Sequence, residues 1–464
     1  MVAAAISTTA KPVELVVSDP HDGSSALQRE KFLPVTRAAL VDRLTAASAW
    51  PNGDLAQVRR FLRYLDYWRR HSYTMKLLDL EQSYEPFSPD SDLLTTRTFS
   101  ADERTALRKR LVGQISEFLE QANFTRVDPS EVHIILTKDS HYGLDLQVDL
   151  SAFEEVLIFY RGATTITERR RDPLKAYVGW KEVKIPVFQR LFLLFKLKPF
   201  EERVQEVMQQ RQMVRADAEQ YVKRMRGLLP AMVSSDYVYL KLFKNLPRSD
   251  VEMIFPNTKV KFRLFDKIKF GVTAGGGLGM GVFGTASKIA LLTTNPIAFA
   301  GALVGLGGVA ARQASNFVAQ RNRYMVVMAQ NLYFHAMADN RGVITLLADR
   351  AAEEDVKEEM LLYSALAKAP ANIRELSAVD EAIEQYLART FNVDVDFDVG
   401  DALSRLKRDG IVTELPDGTL KTLAPEQAAL RIDELWDNSL NELPDIVPEE
   451  GQEVGMESGD APRL

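Results

Sequence analysis

The chain has 464 residues, with 58 Lys+Arg against 64 Asp+Glu, a formal net charge of −6 and no cysteine. That balance gives no global electrostatic case for nucleic-acid binding. The missing cysteines exclude disulfides, thiolate catalysis and cysteine-based metal sites, and the length suits two or three domains.

Residues 1–28, small and polar with Asp19-Pro20, are expected to be a disordered leader. They lack a basic stretch followed by an apolar core, and no arginine precedes Arg29, so neither a secretory signal nor a mitochondrial presequence is expected. A helical region is predicted over 29–130. Leu40, Leu44 and Ala47 share one helical face, and Phe61, Leu62, Leu65 and Trp68 repeat the pattern in VRRFLRYLDYWRR. After a polar loop over 81–99, Ser100-Ala101-Asp102-Glu103 carries a capping box that predicts a helix to about Gln121, with Leu107, Leu111 and Ile115 facing the core.

Over 131–265 the period turns strand-like, predicting an α+β domain. VHIILT, LDLQVDL and FEEVLIFYRG read as strands, followed by KAYVGWKEVKIP and FQRLFLLFKLKP, the last apolar enough to be central. The charged run EERVQEVMQQRQMVRADAEQYVKRMRG is expected to be one helix ending near Gly227, before the strand VYLKLFKNLP.

Residues 266–318 stand apart. From Phe270 to Ala311 the only charged residue is Lys288, which separates two uncharged runs. At ~1.5 Å rise per residue each run approaches the ~30 Å of a bilayer core, and Asn295-Pro296 supplies an N-cap and a first helical residue between them. The expectation is a two-helix transmembrane hairpin. Gly271, Gly275 and Gly279 recur every fourth residue, as do Gly277 with Gly281 and Gly301 with Gly305, so these glycines are expected to form the helix-packing faces. Gly279-Met280-Gly281-Val282-Phe283-Gly284 matches G-x-G-x-x-G, but no strand precedes it and Lys288 has no Walker spacing.

Residues 319–370 read as a helical extension continuing the second hairpin helix, with a further helix in DRAAEEDVKEEMLLYSALAK. Over 371–440 the pattern is winged-helix-like. One helix carries Val379, Ile383 and Leu387, and a second ends at Gly410. A hairpin turns at Pro416-Asp417-Gly418, and a closing helix bears Leu435 and Trp436. Residues 441–464 read as a disordered acidic tail.

The segment VYLKLFKNLPRSDVEMIFPNTKVKFRLFDKIK, followed by the glycine-rich pair, resembles an uncharacterised family that includes transmembrane protein 143. EKFLPVTRAAL, FYRGATTITERRR and VFQRLFLLFKLK resemble the same family. The likeness runs from about Glu30 to Trp436 and is most specific over Lys241–Lys269, through Lys244, Pro247, Asp250, Glu252 and Pro256. It implies a domain of unknown function and the hairpin, and it carries over no catalytic residue.

The residues suggest little chemistry. His133, Asp139, His141, Asp145 and Asp149 cluster in sequence without metal-ligand spacing, and no G-x-S-x-G, H-E-x-x-H or Walker lysine occurs, so no cofactor or metal is expected. Arg161, Arg169, Arg170, Arg171 and Lys175 form a basic cluster, and Lys267, Lys269 and Arg312 flank the hairpin; these are candidates for lipid-headgroup contact. Ser404, Arg405, Lys407 and Arg408 lie on the second helix of the winged module, where such modules read DNA. Asp401 and Asp409 flank them, and no nucleic-acid partner is expected. The reading is an integral membrane protein with its globular portions cytoplasmic, non-enzymatic, acting in interaction or as a scaffold at a bilayer, with a protein partner or a second copy. The alternatives are an enzyme acting on a lipid or membrane-bound substrate and a membrane-tethered regulator using the winged module.

Overall fold

The first helices start where side chains cap them. In a computed structural model, Thr36 opens α1 (Arg37–Leu44) and Asp54 opens the 30-residue α2 (Leu55–Tyr84), each accepting from backbone N–H groups of the first turn. The capping box forms as the spacing predicts: Ser100 Oγ accepts from Glu103 N, Ser100 N donates to Glu103, and α3 runs over Ala101–Gln121. The structure describes residues 29–46, 49–50, 54–90, 97–127, 144–171, 180–227, 229–248, 251, 254–256, 259–262, 333–441 and 452–453.

Between α2 and α3 lies β1 (Arg97–Thr98), which pairs with the last strand of the chain. Past α3 come β2 (Thr125–Arg126), β3 (Leu144–Gln147), β4 (Phe153–Arg171) and β5 (Trp180–Leu197). Trp180–Pro186 of the first predicted strand and Phe188–Leu197 of the second are thus one long strand, while 175–179 lie outside the described residues. Pro186 is tolerated because β5 meets β6 (Tyr239–Pro247) only over Val187–Phe195, leaving Pro186 where, among the described residues, one side of the strand has no ladder partner. Strands β2, β4, β5, β6 and β8 (Ala336–Asp339) form an antiparallel sheet in that order, while β7 (Lys259–Phe262) pairs with β3.

Leu191–Phe195 is a continuous apolar run because β5 is covered there on both faces. Phe192 and Leu194 join Leu157, Phe159, Leu240 and Leu242 beneath α2, α3 and the long helix α6 (Asn340–Lys368). Leu191, Leu193 and Phe195 point the other way, against Phe153, Tyr239, Val251, Ile254 and Phe255. The charged run after β5 is two helices, α4 (Phe200–Arg211) and α5 (Arg215–Arg226), broken at Gln212, whose φ of 51° reverses the chain. The reversal lets Val204 and Val207 pack on Ala218 and Val222.

The helical extension expected to run on to about Gly342, ahead of a further helix, is interrupted by a strand. Ala336–Asp339 adds a strand beside β6, and α6 begins at Asn340, whose φ of 44° turns strand into helix and whose Oδ1 accepts from Leu240 N. Beyond α6, α7 (Leu376–Phe391), α8 (Val399–Arg408), the hairpin β9 (Val412–Glu414) and β10 (Leu420–Thr422), and α9 (Pro425–Asp437) form the helix–helix–hairpin–helix unit. Gly410 and Gly418 hold φ of 74° and 84° at the helix end and the hairpin turn. Their apolar residues share one core with α1, α2 and the second half of α6, so this unit is docked on the body. Strand β11 (Gln452–Glu453) returns to pair with β1, within a stretch expected to be unstructured.

The membrane expectation is corrected. Among the described residues no helix is long and apolar enough to cross a membrane. α2 and α6 have the length, but both carry charged residues along it, each costing ~2.5–3.5 kcal/mol at a bilayer centre. The transmembrane hairpin, the integral membrane location and the bilayer-anchored role are therefore not supported. Residues 266–318, with Gly271, Gly275, Gly277, Gly279, Gly281, Gly301 and Gly305, lie outside the described residues.

Candidate functional site: a buried ion-pair network

Nineteen of the 29 residues of α6 are buried, and five of them, Glu354, Asp355, Lys357, Glu358 and Glu359, carry charge. Charges taken out of water persist only where partners replace the lost hydration. The partners fall into two groups.

In the first, Lys357 Nζ donates to Leu33 O at 2.7 Å and to Glu354 at 2.8 Å, while Glu354 accepts from Leu33 N at 2.9 Å. The segment ahead of α1 is thereby held on α6. Arg161 of β4 closes this group: its Nη1 is 3.7 Å from Glu354 and donates to Ala122 O at 3.1 Å, with the guanidinium over Phe32 and Phe124. Grouped in sequence with a basic cluster suited to lipid headgroups, Arg161 is a nearly buried strand residue.

The second group joins the winged unit to the body. Arg405 of α8 donates through Nε to Glu359 at 2.7 Å and through Nη2 to Glu358 at 2.5 Å. Its Nη1 lies 3.2 Å from Asp355 Oδ1 and pairs with Asp401. Arg69 of α2 donates through Nη2 to Glu359 at 2.9 Å and to Asp409 at 2.7 Å. Tyr73 OH donates to Asp355 Oδ2 at 2.7 Å, with Gln121 Oε1 2.8 Å away, and Asn123 Nδ2 donates to Glu358 at 2.9 Å. Trp68 Nε1 reaches Asp409 at 3.3 Å.

Four buried carboxylates (Asp355, Glu358, Glu359 and Asp409) thus face two buried guanidiniums, Arg69 and Arg405. Burial pushes the Glu358 carboxyl up to about 8 against the pull of Arg405, with Asp355 adding to the rise. Burial likewise lifts Asp355 to about 6, again opposed by Arg405 and reinforced by Glu359. Burial works against both guanidiniums, yet the surrounding carboxylates raise their pKa above the ordinary arginine value. The Tyr73 hydroxyl is also raised, by burial and by Asp355. At neutral pH the network therefore keeps a proton on a carboxyl that would be ionised in water.

Carboxylate oxygens of Asp355, Glu358 and Asp401 come within 4.8 Å of one another, a spacing suited to a metal ion. The Arg405 guanidinium reaches all three, so the cation they share is Arg405. Beside the network a cavity of about 480 Å³ opens between α2, the end of α3, α6 and α8, lined in part by Arg69, Tyr73, Asp355, Arg405, Lys76 and Arg408.

Of the residues singled out in sequence, Arg169, Arg170 and Arg171 end β4, in register with Glu182, Lys181 and Trp180. Lys175, Lys267, Lys269 and Arg312, like His133, Asp139 and His141, lie outside the described residues. On α8, Lys407 pairs with Glu414 at 2.6 Å while Arg405 turns into the core, away from where a DNA-reading side chain would have to point. Sequence reasoning missed Arg69, Tyr73, Asp355, Glu358 and Glu359, and it took Asp409 only as a charge flanking α8. A signal for two of the charges was present: Arg69 follows Leu62 and Leu65 on the buried face of α2, and Arg405 sits between Ala402 and Leu406 on that of α8.

Residues 153–342 match the family described as "Protein of unknown function (DUF3754)". A DUF3754 domain is present in this chain. No solved structure matches the chain. The DUF3754 stretch takes in β4 to β8 and ends within the first turn of α6, so it holds four of the five strands of the sheet and, apart from Arg161, stops short of the ion-pair network. A link to transmembrane protein 143 is not shown by this match.

Proposed function

We propose that this protein is a non-enzymatic interaction or scaffold protein, in which the winged unit serves as an internal docking module rather than as a reader of DNA. The observation that carries the reading is the inward course of Arg405, which spends the second helix of the winged unit on Glu358 and Glu359 of α6. A side chain so committed leaves α8 as part of the core and fixes the winged unit against α2 and α6. Partners, whether another protein or a second copy, then meet one composite surface. The test is affinity purification from cells of the full chain beside the Arg405→Met variant, with cross-linking and mass spectrometry. The expected result is a defined set of proteins, or the chain itself, recovered with the wild type and lost with the variant. Unchanged recovery after Arg405→Met, in a chain whose winged unit limited proteolysis shows to be released, would refute it.

A further inference from the structure

Two apolar rows cross the sheet beneath α6. Leu157, Leu194 and Leu240 lie opposite one another on β4, β5 and β6, as do Phe159, Phe192 and Leu242. Two residues further along the same face the next row is Arg161, Arg190 and Lys244, each directly opposite its neighbour. Cβ atoms in such pairs are ~4.5–5.5 Å apart, and like charges so placed destabilise a sheet. Arg350 of α6 adds a fourth cation. Burial lowers the Arg190 guanidinium pKa below its ordinary value, and Arg350 lowers it further. Burial lowers Arg161 too, opposed by Glu354 and reinforced by Arg190 and Arg350. Arg69 and Arg405 shift the other way, because carboxylates surround them. Among the described residues Arg190, half-buried, has no carboxylate partner; its Nη1 donates to Gln189 O at 2.7 Å.

We propose that this row binds a dianionic tetrahedral oxyanion, phosphate or a phosphate monoester, seated over Arg190 between Arg161 and Lys244, with Arg350 closing from α6. The balance of charge carries the choice. Among the described residues, the carboxylates in contact with these four cations are Glu353, which accepts from Arg350 at 2.6 Å, and Glu354, 3.7 Å from Arg161 and shared with Lys357. Two positive charges are left without a counterion. A phosphate monoester, with ~1.5–2 negative charges at neutral pH, balances them, whereas a single carboxylate does not. The spacing suits one such ion. Neighbouring strands are ~4.8 Å apart, so Arg161 and Lys244 flank the centre within the reach of their long side chains. Guanidinium forks also match phosphate oxygens two at a time. Lys244 is exposed and opens the row to solvent, while Arg161, 11% exposed, closes the other end. The three strand residues fall within the stretch that matches DUF3754, and the site does not depend on the docking of the winged unit.

The experiment is isothermal titration calorimetry and thermal unfolding of the full chain with inorganic phosphate and with glycerol 3-phosphate. Sodium acetate and sodium chloride at matched ionic strength are the controls. At least one of the two phosphates should give saturable heat and raise the melting temperature, and neither control should do so. The tighter of the two tells whether the site takes the free ion or the ester. Arg190→Met should weaken binding by about tenfold or more and Lys244→Ala by several-fold, each measured as a Kd. Because Arg190→Met removes like-charge repulsion, it should not lower the melting temperature in the absence of phosphate. Lys244 is exposed, so its variant tests binding without disturbing the core. Silence from both phosphates up to about 10 mM, a range that would still show millimolar binding, would overturn the proposal. An equal melting shift in acetate or chloride would mean screening alone and would overturn it. So would full affinity in Lys244→Ala, or a lower melting temperature of Arg190→Met without phosphate, the mark of an arginine that only holds the fold.

Discussion

Replacing Arg405 by methionine keeps the stem volume of the side chain and removes its charge. The guanidinium lies between Glu359 at 2.7 Å, Glu358 at 2.5 Å and Asp355 at 3.2 Å, three carboxyls no more than 5% exposed, with the half-exposed Asp401 completing the set. At an effective dielectric of about 20, each pair near 4 Å is worth roughly 4 kcal/mol of attraction, most of it offset by desolvation. Removing one partner leaves the desolvation uncompensated, and breaking a buried pair in this way costs about 3–5 kcal/mol. Only Arg69 would remain to face four buried carboxyls. Urea unfolding followed by tryptophan fluorescence is suited to the measurement, because Trp68 bonds Asp409 within the network and Trp436 lies on α9. The loss should depend on pH. At pH 5, Asp355 and Glu358, raised to about 6 and about 8, can stay neutral without Arg405, so the penalty shrinks. At pH 9 both are ionised and the penalty is largest. A loss below about 1 kcal/mol at neutral pH, the size of an exposed pair, would refute the reasoning. Equal losses at pH 5 and pH 9 would refute it too.

In the wild type, the raised Glu358 means that the folded chain keeps a proton which the unfolded chain releases above its ordinary value of 4.5. Its contribution is complete below that value and is lost as pH rises through about 8, so the urea midpoint should fall between pH 6 and pH 9; a rising midpoint would contradict the assignment. Gly162 has φ of 73°, and a Cβ there would meet Gln189 Oε1 at 2.6 Å, so Gly162→Ala should cost about 1–2 kcal/mol by the same assay, mainly through backbone strain. Leu191 is fully buried in the central strand β5, and Leu191→Ala should cost about 2–5 kcal/mol; a cost under about 1 kcal/mol would mean that this face of the sheet is not packed as described. Glu30 accepts from Gly162 N at 3.2 Å and Ala163 N at 2.7 Å, so Glu30→Ala should speed amide exchange at those two positions while leaving the neighbouring ladder of β4 with β5 protected.

Sequence alone settled the features that depend on neighbours along the chain. The Ser100 capping box opens α3, the wing turns at Gly418, and α8 ends on Gly410, because each requires only a few adjacent residues and a permitted φ. The apolar run of β5 likewise marked a central strand, and β5 is the middle strand of the five-stranded sheet. Tertiary structure decided the rest. Ala336–Asp339 has a helical context in sequence, but it pairs with β6 because the sheet edge offers backbone partners that local propensity cannot register. The charged helix over 349–368 reads in sequence as a candidate docking contact, but nothing along the chain says that Glu354, Asp355, Lys357, Glu358 and Glu359 are buried. What makes that burial tolerable is Arg69, about 290 residues earlier, and Arg405, some 46 residues later. Periodicity measures how often apolar side chains recur, and it carries no information about which distant guanidinium will meet a carboxylate. That pairing, and with it the cavity at the docking contact, exists only once α2, α6 and α8 have packed.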